Sequence, residues 1–226
     1  MHSKLLTAAF ALALGTIPAL AGGPTLAAGE PAPADAVSDW QGLHFGISTA
    51  RPNGDNFWAE RGIPSETAAG DWSGTLPTFS LGYDWQRGKL VFGVTLAVSS
   101  GDLMAEPTTG GGFGCFGCQT TIDKLKTLRG RVGYALGKTL VYATAGSARA
   151  DGIGTAGGGA SVSGEDSLTG WTAGIGVERY VGRKITLSAE YLQTDLGRLE
   201  LPIACGSRCY TDINFGLLQL GVNYRW

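Results

Sequence analysis

Six ionisable side chains, His44, Asp84, Arg129, Arg131, Glu178 and Glu190, share one kind of setting. Each sits in a segment whose large apolar residues fall on every second position, and each occupies the alternate face, among Gly, Ser and Thr. If those faces line a narrow interior, opposite charges must pair there, because a buried ion without a partner costs several kcal/mol. The expected outcome is a salt-bridge and hydrogen-bond network that fills the interior; the alternative is a path for protons or small ions. Nucleophilic catalysis would need a His beside a nucleophile. Of two His residues, His2 falls in the expected signal peptide and only His44 remains, with no Ser/His/acid grouping in the connecting segments. No enzyme is expected.

The second set is Cys115, Cys118, Cys205 and Cys209, spaced as C-x2-C and C-x3-C in two separate polar stretches. In an oxidising compartment they read as disulfides, and four cysteines allow three connectivities. A four-cysteine zinc site is the alternative, since C-x2-C has ligand spacing, although C-x3-C is less usual. Phe57 and Trp58 are expected as exposed aromatics of a loop, and Tyr210 is a lone outer-side phenol. No cofactor or metal is expected.

The elements that position these residues follow from a period of two, which is a strand signature. Leu43, Phe45, Ile47 and Thr49 share one face of a first strand opening at Trp40. Phe79, Leu81, Tyr83 and Trp85 mark the second strand, and Leu90, Phe92, Val94, Leu96 and Val98 the third. Leu128, Val132, Tyr134 and Leu136 mark the fourth, and the fifth is expected to turn Leu140 and Tyr142 outward with Val141 and Ala143 inward. Trp171, Ala173, Ile175 and Val177 mark the sixth; Ile185, Leu187, Ala189 and Tyr191 mark the seventh. In the last strand Leu218, Leu220, Val222, Tyr224 and Trp226 alternate with Gln219, Gly221, Asn223 and Arg225. Tight turns fall at Arg87-Gly88, Gly137-Lys138 and Gly182-Arg183, where Gly supplies the geometry that a two-residue hairpin needs. Long polar loops are expected over residues 51–72, 101–121, 151–166 and 197–212.

Eight strands with short and long connections in alternation describe an all-β, eight-stranded antiparallel up-and-down transmembrane β-barrel. A soluble barrel would hide its bulky residues inside; here they face out, towards a solvent that must be apolar. In lipid only closure satisfies every backbone group of a sheet. Tyr83, Trp85, Tyr134, Tyr224 and Trp226 cluster at the turn ends and fit an interfacial girdle. The turns carry Arg87, Lys89, Lys138, Arg183 and Lys184. Residues 1–21 read as a cleaved signal peptide, with the small-x-small pattern Ala19-Leu20-Ala21. Residues 22–39 are a Pro/Ala-rich flexible leader, and residues 40–226 form the barrel domain. A formal charge of −2 provides no basic field, so nucleic acid is excluded as a partner.

The segments GWTAGIGVE (170–178), LSAEYLQTDLG (187–197), LGVNYRW (220–226) and WQGLHFG (40–46) resemble the outer-membrane β-barrel family of opacity-protein-like and OmpX-like porin-family surface proteins of Gram-negative bacteria. The resemblance covers Trp40 to Trp226. It implies residence in the cell outer membrane, among outer-membrane lipid and lipopolysaccharide. It also implies insertion by the barrel-assembly machinery, with Leu218, Leu220, Val222, Tyr224 and Trp226 as the signal read. A structural or surface-interaction role follows, supporting envelope integrity and presenting loops for adhesion or an extracellular or host-surface ligand. A narrow porin-like channel for small solutes is the alternative.

Overall fold

Alternation in the sequence becomes strand along nearly the whole of the computed structural model, which describes residues 38–60, 63–107, 118–156, 162–201 and 209–226. The signal peptide, nearly all of the 22–39 leader, Cys115 and Cys205 lie outside the described residues. The strands are β1 (Gly42–Asn53), β2 (Asp55–Glu60), β3 (Ile63–Gly74), β4 (Leu76–Arg87), β5 (Leu90–Ser99) and β6 (Leu103–Ala105). They continue with β7 (Gln119–Leu136), β8 (Thr139–Ala156), β9 (Val162–Tyr180), β10 (Ile185–Leu201) and β11 (Cys209–Arg225).

Eight of these strands close a ring. Going round it, β1 pairs with β4, then β5, β7, β8, β9, β10 and β11 follow, and β11 returns to β1 over His44↔Arg225 to Asn53↔Gly216. Every pairing is antiparallel, so the fold is an eight-stranded antiparallel barrel. Gly88 and Gly137 take positive φ (62° and 58°) in two of the tight turns, where a side chain would be strained.

The long connections depart from expectation. Strand structure continues through much of the segments read as loops. β2 pairs with β11, β3 with β2, and β6 with both β3 and β7. These three strands bridge from β11 to β7 beyond the outer ends of β1, β4 and β5, while β7 to β11 run on beside them. The barrel wall therefore extends well past its eight-stranded waist.

The two halves of the wall obey opposite rules. Along β11, Asp212 and Asn214 face out while Ile213, Phe215 and Leu217 are buried inside. From Leu218 onward the sense reverses, with Leu218, Leu220, Val222, Tyr224 and Trp226 exposed and Arg225 buried. β10 does the same, from exposed Ile185 and Leu187 with inward Thr186 and Glu190, to inward Leu192, Leu196 and Leu199. The extended half thus follows the rule of a water-soluble barrel, apolar inside and polar outside. Its core joins Trp58, Trp72, Leu103, Ile122, Leu168 and Phe215 with thirteen further buried apolar residues. Trp58, expected on the loop surface, is fully buried, and its indole N–H donates to Thr120 Oγ1 at 3.0 Å; Phe57 does stay exposed.

A second apolar layer closes the turn end, where Trp40, Val91, Ala135, Leu140 and Tyr142 pack with Tyr180 against them. This overturns the expected facing of the fifth strand, for Leu140 and Tyr142 point inward and Val141 points out. Glycine makes the room. Tyr142 lies in register between Gly133 and Gly176, and a Cβ at Gly176 would stand 2.5 Å from the Tyr142 ring. The missing side chains on both neighbours leave a slot that the inward Tyr142 ring occupies.

Candidate functional site

Between the two apolar layers lies a charged lumen. Strand alternation aims Asp84 (β4), Arg131 (β7), Glu178 (β9) and Arg225 (β11) at one another from four different strands. Arg131 grips both carboxylates: Nε donates to Asp84 Oδ1 at 2.8 Å, Nη2 contacts Asp84 Oδ2, and Nη1 donates to Glu178 Oε2 at 3.0 Å. Arg225 mirrors it, with Nη1 donating to Glu178 Oε1 at 3.2 Å and Nη2 reaching Asp84 Oδ2 and the Trp40 carbonyl. Thr186 Oγ1 completes Glu178 with a 2.6 Å hydrogen bond. Two cations face two anions, so the group is neutral, and paired, multiply bonded geometry is what makes buried ions tolerable.

Aromatic rings line the cations. The Arg131 guanidinium stands 5.2 Å from the Tyr142 ring centroid, and Arg225 stands 5.2 Å from that of Trp40. Trp40 in turn packs at 4.6 Å on Tyr180. His44, also buried, holds Nε2 3.6 Å from Asp84 Oδ2, too far for a hydrogen bond. One layer further out, Arg129 Nη1 lies 2.9 Å from Glu190 Oε2, an ion pair without hydrogen-bond alignment.

All six ionisable residues read from the sequence are therefore buried or nearly so. His44, Asp84, Arg131 and Glu178 gather in one cluster, and Arg129 and Glu190 form a separate pair. Arg225 was not among the six. Its signal was present, since it shares the inward face of β11 with Gln219, Gly221 and Asn223. Thr186 carried the same signal, sharing the inward face of β10 with Ser188 and Glu190, whereas Trp40 carried no comparable mark. Above the network a polar cavity of about 40 Å³ is lined by residues that include His44, Arg129, Tyr142, Glu190 and Asn223. That is room for about one or two waters. Outward of it the apolar core begins.

At the turn end, Tyr83 packs on Trp85 (4.9 Å), Trp85 stacks on Phe92 (6.0 Å), and Tyr224 meets Trp226 edge-on (4.9 Å). Lys89 sits 5.9 Å above Tyr134, and Lys184 sits 5.7 Å above Tyr224. Among the cysteines, Cys118 is buried, and no described cysteine is free. Among the described residues no group of His, Cys, Asp or Glu is set to hold a metal ion. Tyr210 stacks beneath Arg198, 3.8 Å from its guanidinium, and Arg198 bonds Asp212 at 2.8 Å on the outer wall.

The closed antiparallel ring has known counterparts. The family described as outer membrane protein beta-barrel domain matches residues 7–225. The chain belongs to that family. It is 30% identical to the 31 kDa outer-membrane immunogenic protein of Brucella melitensis, over 86% of this chain and 87% of that protein. It is 31% identical to the 22 kDa outer membrane protein of Rhizobium leguminosarum bv. viciae, over 86% of this chain and 83% of that one. Among solved structures, the Pseudomonas aeruginosa outer membrane protein OprG superposes with a TM-score of 0.55 at 11% identity, covering 82% of this chain and 96% of that one. That last likeness is one of fold alone.

As an outer membrane barrel, the protein turns the exposed Leu, Ile, Val and Phe residues of its eight-stranded waist to hydrocarbon. The aromatic pairs with Lys89 and Lys184 then mark the membrane interface at the turn end. The polar outward face that begins above Leu218 on β11 marks the other boundary. Placement in the outer membrane also accounts for the inverted facing, since each half of the wall hides from its own solvent.

Proposed function

We propose that this barrel is a plugged structural and surface-interaction protein of the outer membrane, supporting the envelope and presenting its extended wall outside the cell. The observation that supports this reading is how the lumen is filled. A neutral Arg131–Arg225–Asp84–Glu178 network spans the interior, the Arg129–Glu190 pair lies outward of it, and a packed apolar core with Trp58, Trp72 and Phe215 lies beyond. An ion crossing that core would leave water for hydrocarbon, which opposes passage strongly. No catalytic step belongs to this reading.

We read the cysteines as disulfides that brace the outer end. Cys118 is buried beside the start of β7 with no free thiol. The signal peptide, the leader and the assembly role of the outward face of β11 belong to the same proposal; the last is supported by β11 sealing the ring against β1. Partners on this reading are lipopolysaccharide, the assembly machinery and an extracellular ligand met by the outer wall.

Planar-bilayer recording of the refolded protein tests the plug. The expected result is no discrete conductance steps. Reproducible steps would reject the plug and favour the narrow channel for small solutes. Thiol titration of the unfolded, unreduced protein tests the braces, and four free thiols would reject them.

A further inference from the structure

Two clefts of opposite character are lined by neighbouring residues at the turn end of β8 and β9. The first is a groove of about 880 Å³ on the lipid-facing side of β1, β11, β10 and β9. Ile47, Leu187, Leu220 and Val222 wall it. Ala189 deepens it, because its register partners Val177 and Leu220 are both larger. One end of the groove is polar, where Arg179 lies outward and donates through Nη1 to Thr139 Oγ1 at 2.8 Å.

The second cleft, about 550 Å³, begins at the very next residues, Lys138 and Tyr180, on the aqueous side of the turns. Arg183 lines it as well, with Asp39 opposite. The Asp39 backbone carbonyl accepts from Tyr180 O–H at 2.8 Å, and its carboxylate accepts from the Gln41 amide at 2.9 Å. Among the described residues no carboxylate forms an ion pair with Lys138, Arg179 or Arg183. One exposed cation, Arg179, therefore ends the apolar groove, and two more, Lys138 and Arg183, line the aqueous cleft that starts at the adjacent residues.

We infer that this junction is a binding site for one anionic phospholipid of the periplasm-facing leaflet, its phosphate held by Arg179, Lys138 and Arg183 and an acyl chain laid in the Ala189 groove. The inference rests on the outer-membrane reading and specifies which lipid contact the wall makes. Charge and polarity select the occupant. An apolar peptide would leave the cations unanswered, and a free phosphate would leave the groove empty. A phospholipid satisfies both, with its charge at the depth where a long basic side chain reaches the interface.

Native mass spectrometry of the full folded chain, released from detergent after exposure to phosphatidylglycerol or phosphatidylcholine, tests the site. One phosphatidylglycerol should be retained in preference to phosphatidylcholine. Arg179→Gln and Lys138→Gln should each weaken that retention about fivefold, the size expected for one cation near a lipid phosphate. Ala189→Trp should weaken retention of both lipids by filling the groove. Lys89→Gln, on a different turn, should leave retention unchanged, and soluble glycerol phosphate should not displace the lipid. The inference is overturned by equal retention of the two lipids or by an effect of Lys89→Gln equal to that of Arg179→Gln. Displacement by glycerol phosphate, or unaltered retention in Arg179→Gln and Ala189→Trp, would overturn it equally. Heat-modifiable electrophoretic mobility, measured on every variant, reports barrel folding by itself and so separates failure of the lipid site from failure of the barrel.

Discussion

At the scale of single residues the lumen network dominates. Arg131 bonds both Asp84 and Glu178, so removing its side chain leaves carboxylates short of a partner in a space too small to hydrate them fully. Arg131→Ala is expected to cost about 3–5 kcal/mol, the usual penalty for breaking a buried pair. Urea unfolding in detergent reads that loss, and planar-bilayer recording of the same variant should still show no conductance. Thr186→Val removes only one hydrogen bond to a charged acceptor and is expected to cost less, about 1.5–3 kcal/mol. A Thr186→Val loss as large as that of Arg131→Ala would contradict the ranking. Arg131 stands 47 residues from both Asp84 and Glu178, yet alternation alone put all three on one face. Arg225 was legible in the same way. What no pattern revealed was that Trp40 closes the layer beneath it.

At the scale of elements, β2 and β3 form a hairpin whose first register pair sets Asp55 against Asp71. Hydrogen bonding to Asp71, with a smaller contribution from burial, raises the Asp55 carboxyl above its ordinary value. A carboxyl whose folded pKa lies above the unfolded one contributes stability that is complete below the unfolded pKa and is lost as pH rises through the folded pKa. The hairpin is therefore tighter in mild acid than at neutrality, where two carboxylates repel across the ladder. Amide hydrogen exchange at Phe57 and Ala69 should slow on acidification beyond its intrinsic pH dependence, and Asp55→Asn should abolish that excess. Glycine placement gives a second expectation. A Cβ at Gly146 would overlap the Leu128 carbonyl, whereas at Gly130 the nearest atom is 3.9 Å away. Gly146→Ala should lower the folded fraction on refolding, and Gly130→Ala should not. β2, β3 and β6 themselves were hidden in the sequence, because six of the twelve residues of β3 are Gly, Ser or Ala, as in a loop, and β2 and β6 are only six and three residues long, while backbone pairing with β7 and β11 holds the group as strands.

At the scale of the whole molecule, the outward face of β11 and the seam it makes with β1 decide whether the ring closes. Replacing Tyr224 and Trp226 together by Ser should lower the assembled fraction in the outer membrane more than Cys118→Ser does, as read by heat-modifiable mobility of membrane fractions. Wild-type levels of the double variant would remove the assembly role. The amino-acid sequence by itself determined the period of two, the bulky outward faces, the eight-stranded waist and the charged inward set, because each is a local alternation read along one strand. It also carried the membership that the family match shows. Only the tertiary structure decided where the wall changes its rule, from lipid outside and charge inside to water outside and a dry core inside. Alternation has the same period on both sides of that boundary. Which face is apolar depends on the solvent at that height, and how well the inner face is buried depends on strands paired from distant parts of the chain. The slot for Tyr142 was decided in the same way, by glycines on two neighbouring strands that come together only when the ring closes.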